Sequence, residues 1–342
     1  TAPSPMADGA EPVRPATPSK PGAGKARRVY DAPDKGVLWG WEVSGYIWTK
    51  AMAAGLFLVP FLLSMAEPAS AGMWSGFMAA ALVFLGLTGA LLVKDLDQPA
   101  RFAYVLLRPQ WRSWLVRGAY IITAYGGLLT LGLVLALQRW LSAGSGAAAS
   151  RNLLSGGGWP AALILMLGTL TALTAACTAV YTAFLFAQAK GRDLWQSPLA
   201  ALQMLVHSPL AGSAGLALFS PWLDLPESWI PLLGWLLGGS LTVHLGLLAL
   251  ELGTPHATGD AHRAASFILR GRLARAFWGG AVMLGGLLPL ALLLLGTALP
   301  AAPDREWIAL TGILPLAGLA ALVGLYFSEH VWVRAPQWIR LS

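Results

Sequence analysis

Residues 72–93 read GMWSGFMAAALVFLGLTGALLV, and Lys94-Asp95-Leu96-Asp97-Gln98-Pro99-Ala100-Arg101-Phe102 follows at once. The first 22 residues carry no charge. As an α-helix they extend about 33 Å, enough to cross a hydrocarbon core of roughly 30 Å. Strict alternation, the mark of a membrane β-barrel, is absent. The stretch therefore predicts a transmembrane helix that ends in a charged, proline-bearing loop at the membrane surface. Two carboxylates and an arginine so close together need water, one another or a partner.

The rest of the chain repeats this pattern. Its 342 residues are 56% hydrophobic and 11% charged, where a soluble chain carries about 25% charge. Eight spans are predicted: Val37–Met65, Gly72–Val93, Val116–Trp140, Trp159–Ala189, Leu199–Phe219, Trp229–Leu252, Ala274–Leu299 and Trp307–Trp332. The expected fold is all-α, a polytopic membrane protein. Trp39, Trp74, Trp140, Trp159, Trp229 and Trp307 stand at run ends, where indoles favour the interface. Pro60, Pro209, Pro289 and Pro315 lie inside runs and predict kinks. Residues 1–36 are rich in Pro, Ala, Gly and basic side chains and read as an extended arm. The single cysteine, Cys177, is expected to be a small buried hydrophobe.

Eight spans put both termini on one side. That side collects 19 of the 23 Lys and Arg residues: the arm, the loops after spans two, four and six, and the C-terminus. The opposite side holds Arg139, Arg151 and Arg305, and Lys50 is inside span one. The positive-inside rule places both termini in the cytoplasm, in a prokaryotic inner membrane. The formal charge of +7 reports topology and gives no ground for nucleic acid as a partner; the bilayer is the surrounding phase.

Ionisable groups at membrane depth are costly and mark function by default. Glu42, Tyr46 and Lys50 share one helix face, with Lys50 about 12 Å deeper than Glu42. They form either a polar strip for a ligand or protons, or a structural pair. His207 and His244 lie at similar depths in spans five and six. With Gln203 and Glu251 they read as a proton path, as hydrogen-bonded structural polar groups, or as two axial ligands of a b-type haem. No metal or nucleotide motif is present.

Trp39-Gly40-Trp41-Glu42-Val43-Ser44-Gly45-Tyr46, followed by Ala53-Ala54-Gly55, resembles the first span of the NrfD-like family, which includes the membrane subunit of polysulfide reductase. Asp95 to Phe102 resembles the family's acidic, proline-bearing loop. Arg112 to Tyr120, Pro255-His256 and Phe277-Trp278 resemble later parts of it. The likeness covers about residues 37–342 and leaves the arm outside.

The resemblance implies two four-helix bundles, residues 37–190 and 191–342. It implies a quinone pocket in the first, either menaquinone or ubiquinone, without haem or an iron–sulfur cluster in this chain. It implies an iron–sulfur subunit docked on the basic face and a molybdopterin catalytic subunit beyond it. This chain would then carry quinone chemistry but not the substrate active site of the oxidoreductase. Glu42 and Asp95 are the candidates for proton exchange, and Tyr181 for hydrogen-bond donation to a quinone carbonyl. Trp41, Tyr46, Asp97, Arg117, Tyr120 and Gln188 are candidate quinone contacts. Lys50, His207, His244 and Glu251 are candidates for a proton path. For the aromatic residues the alternative is interface anchoring; for Asp95, Asp97 and Arg101 it is a loop-stabilising ion pair. The competing functions are a secondary transporter or proton-conducting protein, and a b-type cytochrome subunit.

Overall fold

The computed structural model describes residues 39–95, 102–142, 160–298 and 312–339. The arm, Asp97, Arg101, Trp159 and Trp307 lie outside the described residues. In chain order the helices are α1 (Trp41–Leu63), α2 (Ala71–Lys94), α3 (Phe102–Leu107), α4 (Trp114–Ser142) and α5 (Ala161–Ala187). Then come α6 (Leu199–Phe219), α7 (Trp229–Gly253) and α8 (Gly259–Leu269). A π-helical segment, Ala276–Leu287, runs into α9 (Leu288–Ala298), and α10 (Leu314–Arg334) ends in a 3₁₀ turn, Ala335–Trp338. Eight of these units are long and apolar enough to cross a membrane. The fold is an all-α polytopic membrane protein, as the sequence predicts.

Burial divides the spans by composition. For α1, 78% of the apolar window is buried, and for α6 and α10 67%, against 22–39% for the other five. The three inner helices bury small and polar residues, among them Ser44, Thr49 and Lys50 on α1, Ser208 and Ser213 on α6, and Ser328 and Glu329 on α10. Polar groups survive at depth when protein rather than lipid surrounds them. Small residues let these helices meet closely. A Cβ on Gly55 of α1 would collide with the Ser208 carbonyl of α6, and one on Gly318 of α10 with the Ala214 carbonyl.

α1 packs on α2, α5, α6 and α10. Tyr125 of α4 donates to the Ala53 carbonyl at 2.8 Å, Trp48 to Leu322 of α10 at 2.9 Å, and the Thr49 and Thr88 hydroxyls bond at 2.9 Å. At the basic face Gln337 bonds both backbone groups of Trp39, at 2.8 and 3.0 Å. The buried Arg192 guanidinium donates to the carbonyls of Pro336 and Ile339, both at 2.6 Å. These bonds tie the start of α1 and the connection between α5 and α6 to the end of α10.

Three expectations are corrected. Cys177 is exposed, because α5 is an outer helix and this residue lies on its outward side. Trp74 and Trp229 are buried: Trp229 stacks near Phe77 and donates to the Glu67 carbonyl at 2.9 Å, so it is held by protein. Pro315 stands at the start of α10, where its missing N–H costs little, whereas Pro60 and Pro209 lie inside α1 and α6 and Pro289 lies at the change from the π segment to α9.

Candidate functional site

The predicted residues occupy two depths around α1. At the surface, Glu42 in the first turn of α1 lies 3.4 Å from Lys94 at the end of α2. The Lys94 ammonium also sits 4.4 Å from the centre of the Trp41 ring. Asp95 closes α2, its N–H donating to the Leu91 carbonyl at 3.1 Å. The predicted contacts from α4 and α5 are engaged in building their own corner. Arg117 donates to the Trp111 carbonyl at 2.6 Å and lies over Trp114. Tyr120 donates to the Leu106 carbonyl at 2.8 Å and packs on Trp111, joining α3 to α4. The exposed Gln188 accepts from Trp114 N at 3.0 Å and donates to the Arg112 carbonyl at 3.2 Å. Together they fix the approach to α4.

One turn deeper, Tyr46 and Tyr181 are both buried. The Tyr181 ring lies against the backbone of Gly118, where a Cβ would collide with it. Its hydroxyl is buried, and among the described residues only the Thr182 hydroxyl acts on it, without a well-formed hydrogen bond; such a group costs free energy unless something else meets it. The Tyr46 hydroxyl interacts electrostatically with Tyr181, Asp95 and Glu329. Tyr46 thus connects the surface carboxylate to the interior.

Deeper still, Lys50 donates to the Ala179 carbonyl at 2.8 Å and to the Thr182 hydroxyl. Its ammonium lies 4.9 Å from the centre of the Tyr181 ring, and the Glu329 charge acts on it. Glu329 lies 2.6 Å from His207 Nδ1, and His207 Nε2 is 3.1 Å from His244 Nδ1. All four are almost completely buried. Counted from the basic ends of their helices, Lys50, His207 and His244 lie about 12–14 Å in. The row Glu329, His207, His244 therefore crosses from α10 through α6 to α7, with Lys50 of α1 beside its carboxylate end. Glu251 stands two turns along α7 from His244, toward the basic face, and accepts from the Ser197 hydroxyl at 2.9 Å.

Glu329 escaped sequence reasoning. It sits five residues before Arg334, where the end of an apolar run invites an interfacial reading. A signal existed: Glu329 is the one carboxylate within α10, and a carboxylate inside a span is costly. A separate apolar cavity of about 380 Å³, bordered by Phe57, Phe61, Trp74, Met78 and Gly168, lies at the other end of α1 and contains none of the residues above.

The family model described as polysulphide reductase, NrfD, matches residues 32–327. The chain belongs to the NrfD family. Its eight apolar helices make it a multi-pass membrane protein of that family, and membership marks it as a quinone-interacting membrane anchor of an oxidoreductase. No curated protein matches the chain. The match includes both tyrosines, Lys50, both histidines and Glu251, and ends two residues before Glu329.

Proposed function

We propose that this NrfD-family chain is the quinone-reactive subunit of a multisubunit oxidoreductase, exchanging electrons between the membrane quinone pool and an iron–sulfur partner. The observation that carries this reading is the buried Tyr181 hydroxyl beside Tyr46 and Lys50, which makes no well-formed hydrogen bond among the described residues. A quinone, menaquinone or ubiquinone, supplies two-electron, two-proton chemistry when bound. The residues fit such a head group: the Tyr181 hydroxyl is a ready donor to a carbonyl oxygen, and a fixed ammonium nearby favours developing negative charge. Glu42 and Asp95, at the surface end, exchange protons with water. Trp41 offers a ring face at the same end.

Glu329, His207 and His244 extend this site laterally, and Glu251 offers a return to the basic face. Among the described residues of α1, α6 and α7, the ionisable side chains lie in the half nearer that face. A relay at one depth fits proton exchange on the basic side. The division into two four-helix bundles fits the order of helix neighbours: α1, α2, α4 and α5 touch in a ring, as do α6, α7, the π segment with α9, and α10.

The basic face is the docking face in this reading and lies in the cytoplasm of a prokaryotic cell. That face exposes Arg108, Arg112, Arg117, Arg270 and Arg272 together with Trp111 and Leu107. An acidic iron–sulfur subunit with an apolar contact centre suits that surface, with a molybdopterin subunit beyond it.

Glu42→Gln and Asp95→Asn test the proton step. Quinol turnover falls by at least tenfold in one of them if general acid–base catalysis worth roughly 10²-fold or more is lost. Full turnover in both removes these carboxylates from the mechanism. Copurification of an iron–sulfur chain tests the assembly, and a tag at the N-terminus that proteases reach from outside sinks the orientation.

A further inference from the structure

α10 has a second functional face. Arg334, His330, Tyr326, Val323, Leu319 and Leu316 are spaced by three or four residues, so they form one stripe along the helix. Val323, Leu319 and Leu316 are exposed, at 37%, 48% and 58%, and the three polar residues are half-buried. The stripe looks out of the helix assembly, away from the Glu329 side that meets His207. Reading from the basic end, it passes from a cation to polar rings to aliphatic side chains.

The polar part is under-satisfied. His330 Nδ1 and Arg334 Nε are buried atoms with no hydrogen-bond partner among the described residues. The Tyr326 and His330 rings stack at 6.1 Å with 21° between their planes. The Arg334 charge acts on both. The carboxylate whose charge reaches Tyr326 is Glu42, and Glu42 is already paired with Lys94. Arg334 is the cation of the stripe itself, at the level of the basic ends. Polar groups on a lipid-facing stripe are costly without a partner.

We propose that this stripe binds one anionic phospholipid of the basic-side leaflet. The phosphate meets Arg334, the ester region meets His330 and Tyr326, and an acyl chain follows Val323, Leu319 and Leu316. Charge complementarity selects the occupant: the exposed part of the half-buried Arg334 guanidinium gives a phosphate oxygen a charge-assisted hydrogen bond. The order of chemistry along the helix matches the order along a phospholipid from head group to tail. This site is separate from the Tyr181 site and does not depend on the quinone reading.

Native mass spectrometry of the full-length protein, delipidated in detergent, tests it. The probes are phosphatidylglycerol and phosphatidylcholine of the same chain length. One phosphatidylglycerol binds about tenfold more tightly than phosphatidylcholine. Arg334→Gln weakens phosphatidylglycerol binding by about tenfold, and His330→Ala weakens it less. Lys190→Gln, which changes an exposed cation on the same face, leaves it as it is. Equal binding of the two lipids overturns the proposal, as does wild-type affinity in both the Arg334 and the His330 variants. Displacement of the lipid by inorganic phosphate or a short-chain quinone at equal concentration also overturns it, since the stripe would then read a free anion or a quinone head.

Discussion

Two acidic side chains in this molecule each face a basic partner, and their surroundings differ completely. Glu42 meets Lys94 at 3.4 Å, with side chains 22% and 56% exposed. Glu329 meets His207 at 2.6 Å, with side chains 2% and 4% exposed. Water and salt screen the first pair, so it contributes little stability. The second has exchanged hydration for one neighbour and the nearby Lys50, so its worth depends on every partner staying in place. Proximity alone says little about either. The difference shows that depth decides whether a charge on these helices is an adjustable surface feature or a fixed part of the interior.

Breaking the buried pair is the harshest test of this contrast. Glu329→Ala leaves Lys50 and His207 without their carboxylate and lowers stability by about 3–5 kcal/mol. Glu329→Gln keeps the volume and loses less. Chemical unfolding in detergent reads both, with Asp260→Ala in the surface helix α8 as a reference. Equal unfolding of Glu329→Ala and wild type would show that the interior tolerates the loss and that the pair stores nothing. Lys50→Met comes next. It gives up the bonds to Ala179 and Thr182, for a loss of roughly 1–3 kcal/mol.

A single methyl group sharpens the comparison on α4, which has a crowded glycine and a free one. Gly118 lies under the Tyr181 ring, whereas Gly127 has nothing within 4 Å of an added Cβ. Gly118→Ala forces the tyrosine to move and costs about 1–3 kcal/mol. Gly127→Ala is neutral or stabilises by up to roughly 1 kcal/mol through helix propensity. Quinol turnover drops in the first variant alone if Tyr181 donates to the quinone. Tyr181→Phe then separates the hydroxyl from the ring position.

The spans were legible because lipid leaves a coarse imprint: some twenty apolar residues in a row, bounded by charge. Helix contacts leave a finer one. Lys50, His207 and His244 stood out as ionisable groups deep in apolar runs, and depth along a helix follows from residue count. That Glu329 of α10 links them was not legible, because rotation about each helix axis comes from packing with neighbours far away in sequence. The same reason explains Trp229. A tryptophan at the end of a run looks like an interface anchor, and only the Glu67 loop folding over it turns it into core. Gln188 looked like a ligand-facing amide at the right depth. Its two bonds to the loop before α4 depend on a chain separation of more than seventy residues.

The smallest effect belongs to the exposed pair, and it is the one that makes the surface chemistry readable. Lys94→Gln removes the cation near Glu42 and the Trp41 ring, and lowers stability by under about 1 kcal/mol. In 1 M salt the Debye length is about 3 Å, so the ion-pair part of that difference fades, whereas the loss in Glu329→Ala persists. A double-mutant cycle with Glu42→Gln measures the coupling directly, and a value above about 2 kcal/mol would contradict a screened pair. Because the fold hardly depends on Glu42, any large loss of quinol turnover in Glu42→Gln reports proton exchange or partner docking, not unfolding. Docking and proton exchange then part by salt: an electrostatic defect in docking narrows against wild type as ionic strength rises, since salt screens the charge that was changed. A defect in proton exchange at the head group does not.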